Sequence, residues 1–211
     1  EIPPAHRLIF DSAGLHLRKY WDLEAKPHLD DLDTTSEHVR ELVVDAIERQ
    51  LISDVPVCTF LSGGLDSSAI SAVTANVFKK QGKEKLNTFS IDYEENEKYF
   101  TANEFQPDSD EYWVNRVASF IDSNHHNIIL DNQKLAETLD AAVLARDLPG
   151  MADIDSSLYL FCNEVRKKAT VALSGECADE IFGGYPWYTR QEDTNLNTFP
   201  WSKSIEERKN I

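Results

Sequence analysis

Residues 55–68 read VPVCTFLSGGLDSS, and the rest of the chain takes its meaning from them. Val55, Val57, Cys58, Phe60 and Leu61 form a near-continuous apolar run of strand length, the pattern of a strand covered on both faces in a parallel sheet. A Ser-Gly-Gly turn ends the run, and a helical pattern opens at Asp66, Ser67 and Ser68. Gly63 and Gly64 permit a tight turn that brings amide N–H groups close to an anion, and the dipole of the following helix favours negative charge at its start. Ser62, Ser67 and Ser68 add hydroxyl donors. The stretch has the form of a phosphate cradle. It contains neither GxxxxGK(S/T) nor GxGxxG, which excludes the lysine-based P-loop and the dinucleotide fingerprint.

Upstream, residues 1–32 pair the apolar run Leu8–Phe10 with an alternating Leu15, Leu17 segment across Asp11, Ser12 and Gly14, which predicts a β-hairpin. The opening Glu-Ile-Pro-Pro reads as an inter-domain linker, so a preceding segment is expected. Thr34, Thr35 and Ser36 are N-cap candidates for a helix whose Val39, Leu42, Val43, Ala46, Ile47 and Leu51 share one face. Downstream, a helix from about Asp66 to Lys80 turns Ala69, Ile70, Val73 and Val77 inward and stops at Gly82. Leu86–Asp92 is the next strand, which makes a βαβ unit and an at least partly parallel sheet.

Tyr93–Asp110 lacks a clear period and reads as a long loop at a strand's carboxyl end, where open α/β sheets bind ligands. Trp113, Val117, Phe120 and Ile121 mark a helix, and HHNIIL at 125–130 a strand. His125 and His126 are neighbours on a strand, so they point to opposite faces and do not form a metal pair. Leu135, Leu139, Ala142 and Val143 predict one helix, broken by Pro149 and Gly150. Asp155 or Ser156 is placed to cap the next helix, ahead of a strand at Thr170–Leu173. These elements predict a doubly wound, mostly parallel α/β sheet of about five strands flanked by helices. The hairpin and linker at 1–32 precede a domain at 33–211.

The net charge is −16, from 37 acidic and 21 basic residues, which argues against nucleic acid or an anionic membrane as a partner. A phosphorylated ligand would then need a cation and directed N–H groups. No apolar run reaches the roughly 18 to 20 residues of a membrane span. Cys58, Cys162 and Cys177 show no CxxC or Cys/His spacing, the pattern of reduced thiols in a cytoplasmic protein.

The last predicted strand runs into SGECADEIFGGY, Ser174–Tyr185, so a second Ser-Gly turn is followed by Glu176, Asp179 and Glu180. Carboxylates on a tight turn make sense where they meet a cation, since Mg²⁺ is usually shared between one or two carboxylates and substrate phosphates. Asp66 and Asp179 are the expected pair.

LSGGLDSS resembles the pyrophosphate-binding loop (PP-loop) of the N-type ATP pyrophosphatases, enzymes that split ATP between its α- and β-phosphates and leave an adenylated intermediate. Together with NTFSID, the HH before the third strand, and SGECADEIFGGYPWY in the same order, it resembles the synthetase domain of glutamine-hydrolysing asparagine synthetases, over almost the whole chain. The resemblance implies an adenine nucleotide alpha hydrolase-like fold with ATP and Mg²⁺ as cofactors. In the implied reaction, aspartate's β-carboxylate attacks the α-phosphate, pyrophosphate leaves, and ammonia converts β-aspartyl-AMP to asparagine and AMP. It also implies an N-terminal glutaminase domain as the ammonia source, and leaves room for a homodimer.

Matched by position, the resemblance implies that Ser62, Gly63, Gly64, Asp66, Ser67 and Ser68 hold pyrophosphate and metal. Leu61 and Ile91 contact the nucleotide, and Ser174 and Gly175 border ATP. Glu176 supports adenylate formation, and Asp179 joins Asp66 at Mg²⁺. In the family, helices beyond the equivalent of Ile211 supply a phosphate-binding lysine and much of the aspartate pocket, so the 211-residue chain is expected to be inactive alone. Cys177 stands where many members have Gly. A β-lactam synthetase or a nucleotide- or tRNA-modifying PP-loop enzyme fits the first loop equally well, and a nucleotide-binding module without turnover is the alternative of a different class.

Overall fold

A computed structural model describes residues 2–101, 109–148 and 150–190. Residue 1, part of the expected 93–110 loop, Pro149 of the expected break, and residues 191–211 of the expected domain lie outside them. The chain divides into two compact units, 1–41 and 42–211. In the first, β1 (His6–Asp11) and β2 (Gly14–Lys19) pair antiparallel in a hairpin with Asp11 opposite Gly14, as the alternation around Leu15 and Leu17 predicts.

The second unit holds a four-stranded parallel sheet in the order β5-β4-β3-β6, against an expectation of about five strands. Its strands are β3 (Val57–Phe60), β4 (Asn87–Tyr93), β5 (Asn124–Leu130) and β6 (Val171–Leu173). Helices cover both faces. On one, Ile47 and Leu51 at the end of α1 (Leu32–Gln50) and Val77 of α2 (Leu65–Lys80) bury against Val57 and Leu173. On the other, Phe161 and Val165 of α7 (Ala152–Val165) bury against Cys58 and Phe89. Complete burial suits Cys58, whose thiol is pushed up to about 12 by loss of solvent and the nearby Cys162. The three cysteines are free. Among the described residues no helix is long and apolar enough to cross a membrane.

Several local expectations shift. Asp31, rather than Thr34, Thr35 or Ser36, caps α1, its carboxylate accepting the Thr34 N–H at 2.8 Å. The Thr35 and Ser36 hydroxyls instead bond back to the carbonyls of Asp31 and Leu32, an alternative open to short hydroxyl side chains inside a helix. Within α1, Val39 and Leu42 are exposed, and only the last turns reach the core. On α2 the deepest residues are Ser67, Ser71 and Thr74, with Ile70 and Val73 packed at the margin and Ala69 exposed. The buried Ser71 hydroxyl bonds Thr59 of β3 at 2.8 Å, so small polar residues occupy the closest helix–strand approach.

The 93–110 segment carries a one-turn helix, α3 (Asn96–Tyr99), and α4 (Asp110–Phe120) turns Val114, Val117 and Ala118 inward while Phe120 stays exposed. The single helix expected over 135–143 is two, α5 (Asn132–Glu137) and α6 (Leu139–Arg146), separated at Thr138, whose hydroxyl bonds the Lys134 carbonyl. Neither Asp155 nor Ser156 caps α7. Asp155 pairs with Arg146 at 2.6 Å, and Ser156 is buried one residue further in.

Candidate active site

The chain leaves β3 toward β4 and β5 on one side and returns to β6 on the other, so the strand order reverses between β3 and β6. In open α/β sheets such a reversal leaves a crevice at the carboxyl ends of the strands, where ligands bind. Both Ser-Gly turns of this chain emerge there. They border a cavity of about 960 Å³, large enough for a nucleotide-sized ligand.

The first loop is tied together by its own hydroxyls. Ser67, 8% exposed, receives the Ser62 N–H at 3.2 Å, lies 3.0 Å from the Ser62 hydroxyl, and donates to the Gly64 carbonyl at 3.2 Å. Gly63, at φ +82, takes the left-handed turn from β3 into α2, and a Cβ there would lie 2.7 Å from the Trp113 Cβ. Asp66 follows in the first turn of α2.

The second loop touches the first. Gly175 lies so close to the start of α2 that a Cβ would stand 3.0 Å from the Asp66 Cβ. Beyond it, Cys177 adopts φ +70 and leads into the short helix α8 (Ala178–Phe182), which carries Asp179 and Glu180. Tyr185 donates to Glu180 at 3.4 Å, and desolvation together with the Glu180 charge raises its pKa.

Ten of the twelve residues singled out from the sequence line the cavity: Leu61, Ser62, Gly64, Asp66 and Ser67 from the first stretch, Ile91 from β4, and Ser174, Gly175, Glu176 and Asp179 from the second loop. Gly63 and Ser68 do not. Gly63 packs beside α4, and the Ser68 hydroxyl is buried with no hydrogen-bond partner among the described residues. The sequence reading missed three further parts of the wall: Asp92, Asp110 with Glu111, and Leu158 with Phe161. Asp92 carried a usable signal, since it follows Ile91 at a strand's carboxyl end. Its carboxylate accepts the Tyr93 N–H at 2.8 Å and the Asn96 amide at 2.7 Å.

Asp66, Asp92, Asp110, Glu111, Glu176 and Asp179 give the wall six carboxylates, and no Lys or Arg lines it among the described residues. A phosphorylated ligand would meet repulsion there unless a cation came with it. Among those residues no three His, Cys, Asp or Glu side chains gather to hold a metal alone, so the donor set fits an ion shared with a ligand's oxygens. The two histidines diverge as adjacent strand residues must. His126 stacks on Phe89 at 4.7 Å and bonds Asn87, while His125 bonds Thr88 and Ser90.

The asparagine synthase family model matches residues 38–210. The chain is 53% identical over 208 residues to asparagine synthetase [glutamine-hydrolyzing] 3 of Bacillus subtilis, a match covering 99% of this chain and 34% of that protein. It is 30% identical over 197 residues to asparagine synthetase [glutamine-hydrolyzing] 1 of the same organism, covering 93% of this chain and 28% of that protein. The chain thus spans about a third of the length of these relatives or less. An NAD+ synthetase structure from Burkholderia pseudomallei aligns over 77% of each chain at 14% identity and a TM-score of 0.36.

Proposed function

Because the chain belongs to the asparagine synthase family, we propose that its cavity binds Mg-ATP and that it forms the adenylating part of an ATP-dependent asparagine synthetase. The observation carrying this reading is the contact of the two Ser-Gly loops at the strand-order reversal, with Gly175 against Asp66. In this reading, residues 1–32 link a glutaminase domain to a synthetase domain beginning at 33.

The β-carboxylate of aspartate attacks the α-phosphorus of ATP and the bond to the bridging oxygen of the β-phosphate breaks, releasing pyrophosphate. Ammonia derived from glutamine then attacks the aspartyl carbonyl, and AMP leaves. The chain's part is orientation and charge placement. Ser62 and Ser67 exchange the hydrogen bonds they make with each other for bonds to pyrophosphate, and the Gly64 N–H, held only at 3.4 Å by the Ser62 hydroxyl, turns to the same oxygens. Leu61 and Ile91 flank the nucleoside, and Ser174 lies beside the α-phosphate. Asp66 and Asp179 would hold Mg²⁺, which when bound neutralises phosphate charge as pyrophosphate departs.

Glu176 cannot attract phosphate, so its place beside Ser174 suits the aspartate end of the site. Glu176→Gln should keep the melting temperature and most ATP affinity while slowing adenylate formation about 10²- to 10⁴-fold. The test of the function is ATP–pyrophosphate exchange in the protein at its natural length. Exchange that requires aspartate supports the reading. Exchange that requires a different carboxylate moves the chain to another PP-loop reaction, and ATP binding with no exchange leaves a nucleotide-binding module.

A further inference from the structure

The cavity wall contains a hydrogen-bonded row that none of these roles uses. Ser90 of β4 and Asn127 of β5 are register partners, and Leu61 continues the same sheet through its N–H to the Phe89 carbonyl at 2.8 Å. Ser90, Asn127 and His125 all line the cavity beside Leu61 and Ile91. Their bonds have one consistent direction. Ser90, 8% exposed, donates its only hydroxyl proton to Asn127 Oδ1 at 3.1 Å. His125 Nε2, 3.1 Å from the same hydroxyl oxygen, must then be the donor to Ser90. That leaves His125 Nδ1 as an acceptor, and Thr88 Oγ1 supplies the proton at 3.0 Å. The relay runs Thr88, His125, Ser90, Asn127.

This relay fixes which way the Asn127 carboxamide faces. Its oxygen is held by Ser90, with one lone pair left over, and its amino group stays open to the cavity. A free carboxamide can rotate by half a turn to exchange donor and acceptor, and this one cannot without breaking the Ser90 bond. An amino group beside a carbonyl oxygen matches the edge of adenine, which offers a ring-nitrogen acceptor next to the N6 amino donor. Hypoxanthine and guanine place a carbonyl at that carbon instead, and a carboxamide locked in this orientation cannot pair with both of their groups.

We propose that Asn127 reads the adenine edge of the nucleotide and that His125 is a positioning residue which, through Ser90, locks Asn127 in its adenine-selective orientation. This rests on the cavity being a nucleotide site. The row adds a wall contact to the loops, and it explains why a half-buried histidine stands in the cavity wall without a charged partner. Burial and the neighbouring His126 lower the His125 pKa, which favours the neutral ring that the relay requires.

The test is calorimetric titration of Mg-ATP and Mg-ITP into the protein at its natural length, read as the ratio of the two affinities within each variant. A ratio within one variant is insensitive to lost stability. The unaltered protein is expected to favour ATP by at least tenfold. Asn127→Asp removes the donor to the ring nitrogen and should lower the ratio about tenfold. His125→Leu, which frees Ser90 and lets Asn127 rotate, should lower the ratio more than it lowers ATP affinity, and His125→Gln, which restores an N–H for Ser90, should recover it. Ratios unchanged in Asn127→Asp and His125→Leu with ATP still bound would overturn the proposal and leave the nucleotide site standing. No ATP binding by the unaltered protein would overturn both.

Discussion

Gly175, two residues beyond β6, stands against Asp66 in the first turn of α2. A side-chain carbon on Gly175 would lie 3.0 Å from the Asp66 Cβ and 3.4 Å from the Ser67 nitrogen. The two loops of the site are therefore held at one spacing by the absence of a methyl group. Gly175→Ala must push the loops apart by a few tenths of an ångström, and overpacking of this kind costs about 1 to 3 kcal/mol. The expected result is a melting temperature lower by a few degrees and Mg-ATP affinity reduced about tenfold. Thermal unfolding followed by calorimetry checks both, and unchanged affinity would show that the spacing between the loops does not matter to the ligand.

Cys177 sits at φ +70, a conformation that L side chains pay for with about 1 to 2 kcal/mol and that glycine takes freely. Cys177→Gly should raise the melting temperature by about 2 to 4 °C per kcal/mol recovered. Cys177→Val should lower it, because a β-branched side chain fits that region worst. Equal melting temperatures for the three proteins would count against strain at this turn.

Thr59 and Ser71 share a buried hydroxyl pair at 2.8 Å across the β3–α2 seam. Ser71→Ala leaves the Thr59 hydroxyl without this partner and should cost about 1 to 3 kcal/mol, while Thr59→Val with Ser71→Ala should cost less than the sum of the single changes. A double-mutant cycle in urea measures the coupling. Additive losses would remove the pair from the account of how α2 is seated.

Residues 55–68 show how far the sequence could be read. The apolar run, the Ser-Gly-Gly turn and the helix start were legible because each depends on local chemistry, and ten of the twelve chosen residues line one cavity. The inward face of α2 was not, since its seam is filled by Ser67, Ser71 and Thr74, which carry no hydrophobic period. Nor was the break at Thr138, which rests on a hydroxyl bonding back to Lys134. Asp110, Glu111 and Phe161 reach the cavity only through the order in which the strands pair, and no local pattern announces that order.

His125 and His126 both have lowered pKa values, the first through burial and then His126, the second through burial and then Lys168. A histidine with a depressed folded pKa binds its proton more readily in the unfolded chain, so its contribution is complete above the unfolded value of 6.5 and is lost as pH falls through the folded value. The urea midpoint should therefore drop as pH is lowered from about 6.5, before the carboxylates titrate. His126→Asn should flatten that drop. A midpoint that is level or rises over this interval would contradict the burial of the two rings.

The most direct test of the central claim, that the loops after β3 and β6 build one Mg-ATP site, is calorimetric titration of Mg-ATP into the unaltered protein, Asp66→Asn, Asp179→Asn and the double variant. Each single change is expected to weaken binding. The double variant should lose little more than the worse single one, because both residues serve the same ion. Affinity unchanged in both single variants would contradict the claim.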